Sequence, residues 1–218
     1  FPHTDKALTK RNNRVPDGTP RSPLPAWRYR LDDEFLSNTL YERVQRIGAR
    51  RPALIPRINA ISGSLLGARE YTDVSHEVFV SPRRVRFRES EFALPRAAAG
   101  EAIAEMRRWF ARGSEHVSFP IEVRFTAADD IWLSTGYGRD NVYLAVHQFH
   151  RVDPTSYFAA MQDIFVAHEG RPHWGKLHTL GADHLRTVYP RFDDFVAVRD
   201  RLDPERRFTN DYLDRVLG

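Results

Sequence analysis

Hydrophobic and polar positions along the chain repeat with two different periods, which predict both helices and strands. Apolar residues at helical spacing predict helices over 32–47, 52–66, 97–112, 154–167, 193–202 and 210–217. Short apolar or alternating runs predict strands over 77–80, 83–92, 119–125, 130–137 and 141–149. The chain therefore combines helices with several short strands.

The order of these elements predicts the fold class. Helices come first, then two strands, a helix, three strands and the remaining helices, so strands and helices do not alternate strictly. Such an order favours an α+β fold, a mostly antiparallel sheet covered by helices. Residues 1–30 contain Pro16, Pro20, Pro23 and Pro25, which is typical of an irregular arm. We expect this arm to precede one domain over 31–218.

Composition excludes several classes of function. The chain contains no cysteine, which rules out disulfides, thiolate catalysis and Cys-ligated metal sites. No apolar run approaches the roughly 18 residues of a membrane-spanning helix, so we expect a cytoplasmic protein, with peripheral membrane association left open. The 33 basic and 29 acidic residues are interspersed, which favours a mixed solvated surface. No GxGxxG motif or phosphate loop occurs, so no complete nucleotide site is encoded.

The segment 121–125 has a clear strand period. Ile121, Val123 and Phe125 fall on one face and predict a core contact, whereas Glu122 and Arg124 fall on the other. A solvated pair is the ordinary interpretation of such charges. If their face lines a ligand cavity, the two could hold a polyhydroxylated ligand and stabilise developing negative charge.

Histidines recur in the C-terminal half, and we predict no metal site among them. His147 shares a strand face with Tyr143 and Ala145, while His150 points to the opposite face, which weakens an H-x-x-H interpretation. A lone strand histidine is usually structural. The later histidines follow no common metal-ligand spacing: His168, His173, His178 and His184.

The loop 171–176 places a tryptophan between a proline and a glycine. A tryptophan at such a position normally packs against other apolar groups, and a lysine normally extends into solvent. Packing of the Trp174 ring could instead fix Lys176 beside a ligand.

The segment 83–88 interleaves arginines with Val85 and Phe87, a pattern that could bind nucleic acid. A solvated strand face or an ion-paired interface is the commoner reason for that pattern, and we predict no nucleic-acid partner.

Several ordered segments together resemble the C-terminal domain of the sugar-1,4-lactone oxidase family. This group includes D-arabinono-lactone oxidase and L-gulonolactone oxidase and dehydrogenase, which are vanillyl-alcohol-oxidase-type flavoproteins. The similarity covers nearly the whole chain in order, through 1–6 with 12–14, 86–96, the Glu-x-Arg pair of 122–124, the His-Trp-Gly-Lys signature of 173–176, 189–192 and 202–213.

The resemblance implies an FAD-dependent oxidoreductase that oxidises a sugar 1,4-lactone by hydride transfer to flavin. It further implies that an N-terminal FAD-binding domain, absent from this chain, lies in the same or a companion polypeptide. The present chain would then be the substrate-binding cap and inactive without that domain. Whether the protein is an oxidase or a dehydrogenase depends on the absent part.

The resemblance also assigns site residues. Glu122, Arg124 and Lys176 are implied to be catalytic, and Glu122 and Arg124 to bind substrate together with His147. The residues implied to contact the cofactor are His173, Lys176 and Asn210, with Tyr212 near the same site. An alditol oxidase is the alternative within the enzyme class. A non-catalytic sugar-binding or assembly module and a basic nucleic-acid-binding domain are the alternatives outside it.

Overall fold

The computed structural model describes residues 1–65, 67–113 and 115–218, which form two compact units. The first unit comprises Phe1–Phe87, Gly113–Phe119 and Gln148–Val152. The second comprises Arg88–Arg112, Pro120–His147 and Asp153–Gly218. Each is described by itself below.

The first unit is mainly helical. Its helices are α1 (Ala26–Tyr29), a π-helical stretch (Arg30–Leu40), α2 (Tyr41–Arg50), a 3-10 turn (Pro52–Leu54), α3 (Ile55–Leu65) and α4 (Ser75–Phe79). Val85, Phe119 and Phe149 form its buried cluster. Asn59 is buried and donates hydrogen bonds to the Pro2 and Val117 carbonyls at 3.0 and 2.9 Å. These bonds hold the start of the chain against the unit's core.

The second unit contains most of a four-stranded sheet. Its strands are β1 (Phe87–Pro95), β2 (Glu122–Thr126), β3 (Asn141–Phe149) and β4 (Arg171–Pro172), in the spatial order β2-β3-β1-β4. The pairing is antiparallel, with Glu122 opposite Ala145 and Phe92 opposite Pro172. Helices α5 (Ala99–Ala111) and α6 (Thr155–Ala167) pack together, and Phe165 of α6 contacts Phe92 at 5.4 Å between ring centroids. The predicted α+β fold is confirmed.

The chain's C-terminal part forms a second apolar cluster in this unit. It comes from α7 (Ala182–Val188), α8 (Phe192–Leu202) and α9 (Asp211–Leu217). Leu185, Tyr189, Phe192 and Val216 are its buried centre, and Trp174 packs against it. These helices support the loop that follows β4.

Two predicted strands are wrong. Most of residues 77–80 lie in the helix α4 (Ser75–Phe79) and not in a strand. The backbone N–H groups of Glu77 and Val78 donate hydrogen bonds to the Val74 carbonyl, which closes a helical turn. Residues 130–137 form consecutive turns in which Ser134 bonds back to the carboxylate of Asp129. A short run of apolar residues therefore does not distinguish a turn from a strand. The predicted end of the second helix at Leu66 lies outside the described residues.

The predicted core contact of the 121–125 segment is also wrong in part. Ile121 is half-buried, but Val123 is 43% exposed and Phe125 is 55% exposed. Their alternation matches the prediction, since they share a face with buried Val142 and Leu144 of the neighbouring strand. β2 is an edge strand, however, and both of its faces remain largely accessible.

Candidate functional site

One face of the sheet gathers most of the polar residues that the sequence pointed to. The β2–β3 register sets Glu122 opposite Ala145 and Arg124 opposite Tyr143, so both charged side chains share a face with His147. The other face carries the apolar partners of α5 and α6. The alternation of strand residues thus places Glu122, Arg124 and His147 on one surface.

Strand β1 adds two carboxylates to that surface. Glu91 is 1% exposed, and its two oxygens contact different cations: Oε1 accepts a hydrogen bond from Arg124, and Oε2 accepts one from Lys176. Glu89, two residues earlier, accepts a hydrogen bond from Lys176 Nζ at 2.5 Å. The carboxylates therefore join the two cations into one network.

Lys176 reaches this network because the loop after β4 continues alongside β1. The His173 N–H donates to the Glu91 carbonyl at 2.9 Å, and the Leu177 N–H donates to the Glu89 carbonyl at 3.0 Å. Between them, the Lys176 N–H closes a turn onto the His173 carbonyl at 3.1 Å. These backbone bonds fix Lys176 next to the two glutamates, and its side chain is 18% exposed.

Trp174 anchors the same loop. Its Nε1 donates to the Leu133 carbonyl at 2.9 Å, and its ring lies 5.1 Å from that of Tyr189. The Tyr212 hydroxyl donates to the Trp174 carbonyl at 2.5 Å, which ties the loop to α9. The tryptophan is thus packed, as the sequence suggested, while Lys176 faces the charged surface.

His147 contacts an acceptor at each ring nitrogen. Nδ1 lies 3.2 Å from the Pro120 carbonyl oxygen, and Nε2 lies 3.1 Å from Glu89 Oε1. A carbonyl and an ionised carboxylate only accept hydrogen bonds, so both contacts are satisfied when both ring nitrogens carry protons. Both ring nitrogens of His147 therefore face hydrogen-bond acceptors, which hold the ring in place.

Glu89 is the acidic centre of the network. Its partial burial favours the neutral acid, but hydrogen bonds from His147 and Lys176, and their positive charges, outweigh that effect and lower its pKa to about 2. Glu89 is therefore ionised at neutral pH and remains an acceptor for both partners.

Glu122 stands apart from these pairs. Arg124 has Glu91 as its carboxylate partner, and within the described residues Glu122 makes no ion pair or side-chain hydrogen bond. The Arg124 side chain is 52% exposed, so part of its guanidinium remains accessible. A free carboxylate and a partly accessible guanidinium on one strand face suit recognition of a ligand with several hydroxyl groups.

Two residues expected near the cofactor lie outside the network. His173 is exposed, and its Nδ1 accepts a hydrogen bond from the Gly175 N–H at 3.1 Å, which shapes the turn before Lys176. Asn210 is also exposed and caps α9, where its side chain accepts a hydrogen bond from the Leu213 N–H at 2.9 Å. The structure brings together Glu122, Arg124, His147 and Lys176, but gives His173 and Asn210 local structural contacts.

Sequence reasoning missed Glu89 and Glu91. Both lie at the same strand parity as Val85 and Phe87, the apolar positions of the predicted strand. Carboxylates that continue an apolar face are unusual, since Glu is almost never fully buried unless it is paired. That parity was the available signal, whereas their partners come from 33 to 87 residues away.

The remaining sequence hypotheses are placed elsewhere. A cleft of about 320 Å³ in the first unit is lined by Glu42, Arg46, Arg84, Arg86, His150 and Arg151. Arg84 forms an ion pair with Glu34 beside this cleft, which accords with the ion-paired interpretation of the 83–88 segment.

Within the described part of the chain, no three His, Asp or Glu side chains are arranged to hold a metal ion. No helix in that part is long and apolar enough to cross a membrane.

Comparison with known proteins identifies the family. Residues 1–216 match the family model described as D-arabinono-1,4-lactone oxidase. The whole chain is 44% identical to half of the L-gulono-1,4-lactone dehydrogenase of Mycobacterium tuberculosis. It is 30% identical to half of the L-gulonolactone oxidase of Scyliorhinus torazame.

A third relative acts on a different class of substrate by name. An alditol oxidase from a Streptomyces species is 38% identical over 132 residues, which cover 59% of this chain and 31% of that protein. The chain spans about half the length of the curated lactone-oxidising relatives that it matches. These relatives are oxidoreductases, as the sequence resemblance implied.

Proposed function

The chain belongs to the D-arabinono-1,4-lactone oxidase family, and from this premise we propose that it is the substrate-binding half of an FAD-dependent enzyme. The proposed reaction oxidises a hydroxyl-bearing carbon of a sugar 1,4-lactone, with transfer of a hydride to flavin and loss of the hydroxyl proton. The observation that carries the proposal is the shared sheet face of Glu122, Arg124, His147 and Lys176.

The residues on this face have different proposed roles in binding the substrate. Arg124 donates hydrogen bonds to sugar oxygens, and the free carboxylate of Glu122 accepts hydrogen bonds from sugar hydroxyls. The ring nitrogens of His147 contact the Pro120 carbonyl and Glu89, so His147 contributes to substrate binding by holding Glu89 on this face. Glu122 is also the carboxylate on this face that no cation neutralises within the described residues, so its oxygens are open to a hydroxyl proton. A constellation fixed by strand register can orient the reacting carbon.

The groups present fit one end of a flavin. Lys176 offers a positive charge fixed by backbone and carboxylate contacts, which suits the neighbourhood of the isoalloxazine ring. His173 and Asn210, both exposed, are proposed to contact the cofactor from the adjoining loops. The sequence encodes no phosphate-binding glycine loop for the rest of FAD. When bound, the flavin supplies the hydride acceptor, and the protein supplies orientation and electrostatics.

An FAD-binding domain is therefore the proposed partner, in the same or a companion polypeptide. We expect the 218-residue chain alone, mixed with FAD and a lactone, to give no turnover. Turnover with an artificial electron acceptor and no other polypeptide would contradict the proposed requirement for an FAD-binding domain.

The direct test is anaerobic flavin reduction in the flavin-containing protein that carries this chain. L-Gulono-1,4-lactone, D-arabinono-1,4-lactone and the alditol xylitol are each mixed with the oxidised protein, and flavin bleaching is followed by stopped flow. Reduction by a lactone supports the proposal. Reduction by xylitol alone assigns the chain to the second candidate, a polyol oxidase, which the alditol oxidase relative favours. Reduction by none of them refutes both.

A further inference from the structure

We propose that Glu91 is a positioning residue that sets Arg124 and Lys176 in register for the substrate. The inference rests on the proposed function, because it concerns the same sheet face. No sequence motif pointed to Glu91, and its role follows from where its two carboxylate oxygens lie.

The contacts of Glu91 make it the junction of the network. Its Oε1 contacts Arg124, which belongs to edge strand β2, and its Oε2 contacts Lys176, which belongs to the loop after β4. In the strand order, β2 and β4 are the two opposite edges of the sheet, and β1 carries Glu91 between β3 and β4. A single planar carboxylate therefore links cations from opposite edges and fixes the vector between them.

The burial of Glu91 makes this link rigid. Its side chain is 1% exposed, whereas Arg124 is 52% exposed and can swing toward solvent without a partner. Glu91 sits in the middle of β1, whose backbone is held on both sides, and its neighbour Phe92 is fully buried. The carboxylate is the fixed end of both pairs, and the long cationic side chains are the ends that need positioning.

Glu89 does not duplicate this role. It shares Lys176 with Glu91 but has His147 as its other partner, and no contact joins Glu89 to Arg124 within the described residues. Among the residues that the structure describes, Glu91 alone therefore couples the guanidinium of Arg124 to the ammonium of Lys176. Its removal is expected to release Arg124 while Lys176 keeps one carboxylate.

The kinetic test compares Glu91→Gln and Glu91→Asp with the wild type in the flavin-containing protein. Gln keeps the volume and removes the charge, while Asp keeps the charge but shortens the reach by one methylene. We expect Gln to slow flavin reduction by lactone about tenfold or more, with a smaller change in KM, and Asp to recover part of the loss. Glu105→Gln is the matched control, because it also neutralises an ion-paired glutamate of the same unit, on α5.

Double mutants separate positioning from a general loss of stability. If Glu91 acts mainly by positioning Arg124, the Glu91→Gln change should cost less than about threefold in an Arg124→Ala background. Full multiplicative losses, or a Glu91→Gln rate equal to that of the wild type, would overturn the proposal.

A second measurement needs neither flavin nor substrate. The chain contains three lysines, Lys6, Lys10 and Lys176, so acylation by acetic anhydride can be read at each by mass spectrometry. Held by two carboxylates, Lys176 should react slowly relative to the other two, and Glu91→Gln should raise its relative reactivity about threefold or more. Unchanged reactivity would overturn the proposal even if the lactone reaction is confirmed. If no lactone reduces the flavin, this result still decides the role of Glu91.

Discussion

The Lys176 ammonium donates a hydrogen bond to the Glu89 carboxylate at 2.5 Å, although 87 residues separate the two in sequence. This contact brings the loop after β4 onto the face of β1 that carries the acidic residues. It makes Lys176 part of a charged network and not a solvated surface side chain, and it makes the network testable by substitution.

Lys176→Met should slow flavin reduction and also lower stability. Removing the ammonium leaves the buried Glu91 with one cation, so we expect the free energy of unfolding to fall by roughly 1–3 kcal/mol. Flavin reduction by lactone should slow about tenfold or more, equivalent to about 1.4 kcal/mol. Urea denaturation and stopped-flow reduction measure the two effects. Lys10→Met, at an exposed position, is the control. A variant with the wild-type reduction rate would place Lys176 outside the reaction.

Glu89 predicts a specific acid dependence of stability. Its folded-state pKa of about 2 lies below the usual 4.5, so the unfolded chain takes up a proton at higher pH than the folded one. The stabilisation from Glu89 is present above pH 4.5 and is lost as the pH falls toward 2. Urea unfolding at roughly pH 5, 4 and 3 should show a shallower decline for Glu89→Gln than for the wild type. Parallel declines would show that Glu89 does not carry this shift.

Gly170 should not tolerate a side chain. A Cβ there would lie 2.5 Å from the Phe165 carbonyl oxygen, which accepts a hydrogen bond from the Gly170 N–H at 2.8 Å. We expect Gly170→Ala to destabilise the fold by about 2 kcal/mol or more, because the backbone must shift just before β4. Gly100→Ala is the control, since nothing lies within 4 Å of its Cβ. In helix α5 that change should be neutral or stabilising by roughly 0.5–1 kcal/mol.

Asn210 offers a test of capping against cofactor contact. Asn210→Ala should cost about 1 kcal/mol of stability, because it removes the side-chain acceptor for the Leu213 N–H, and Asn210→Ser should restore most of it. Thermal unfolding of both variants measures the cap. A slow flavin reduction that persists in the stable Ser variant would isolate the proposed flavin contact, and loss of stability in both variants would argue against the cap.

The sequence predicted the sheet interior better than its periphery. β3 was predicted over 141–149 and observed as Asn141–Phe149, because its buried apolar residues leave little ambiguity. Helix α6 was also predicted within one residue. The strand predicted over 77–80 is wrong, because a run of only four residues is too short for its pattern to distinguish a helical turn from a strand.

The site was predictable only in its parts. Strand parity placed Glu122 and Arg124 on one face, and Trp174 indicated a packed loop beside Lys176. The pairing of Arg124 with Glu91 depends on the strand order β2-β3-β1-β4, and no local pattern encodes that order. Likewise, the exposure of Val123 and Phe125 follows from the edge position of β2, which periodicity alone does not reveal.

Arg124, the partly exposed cation of the proposed substrate face, provides the most direct test of that face. In the flavin-containing protein, L-gulono-1,4-lactone should reduce the flavin more slowly in Arg124→Ala under anaerobic conditions. The activation barrier for this step should rise by roughly 2–4 kcal/mol. Arg201→Ala, an exposed arginine of α8, should leave that rate within about twofold of the wild type. A wild-type rate in Arg124→Ala would contradict the assignment of this sheet face as the substrate site.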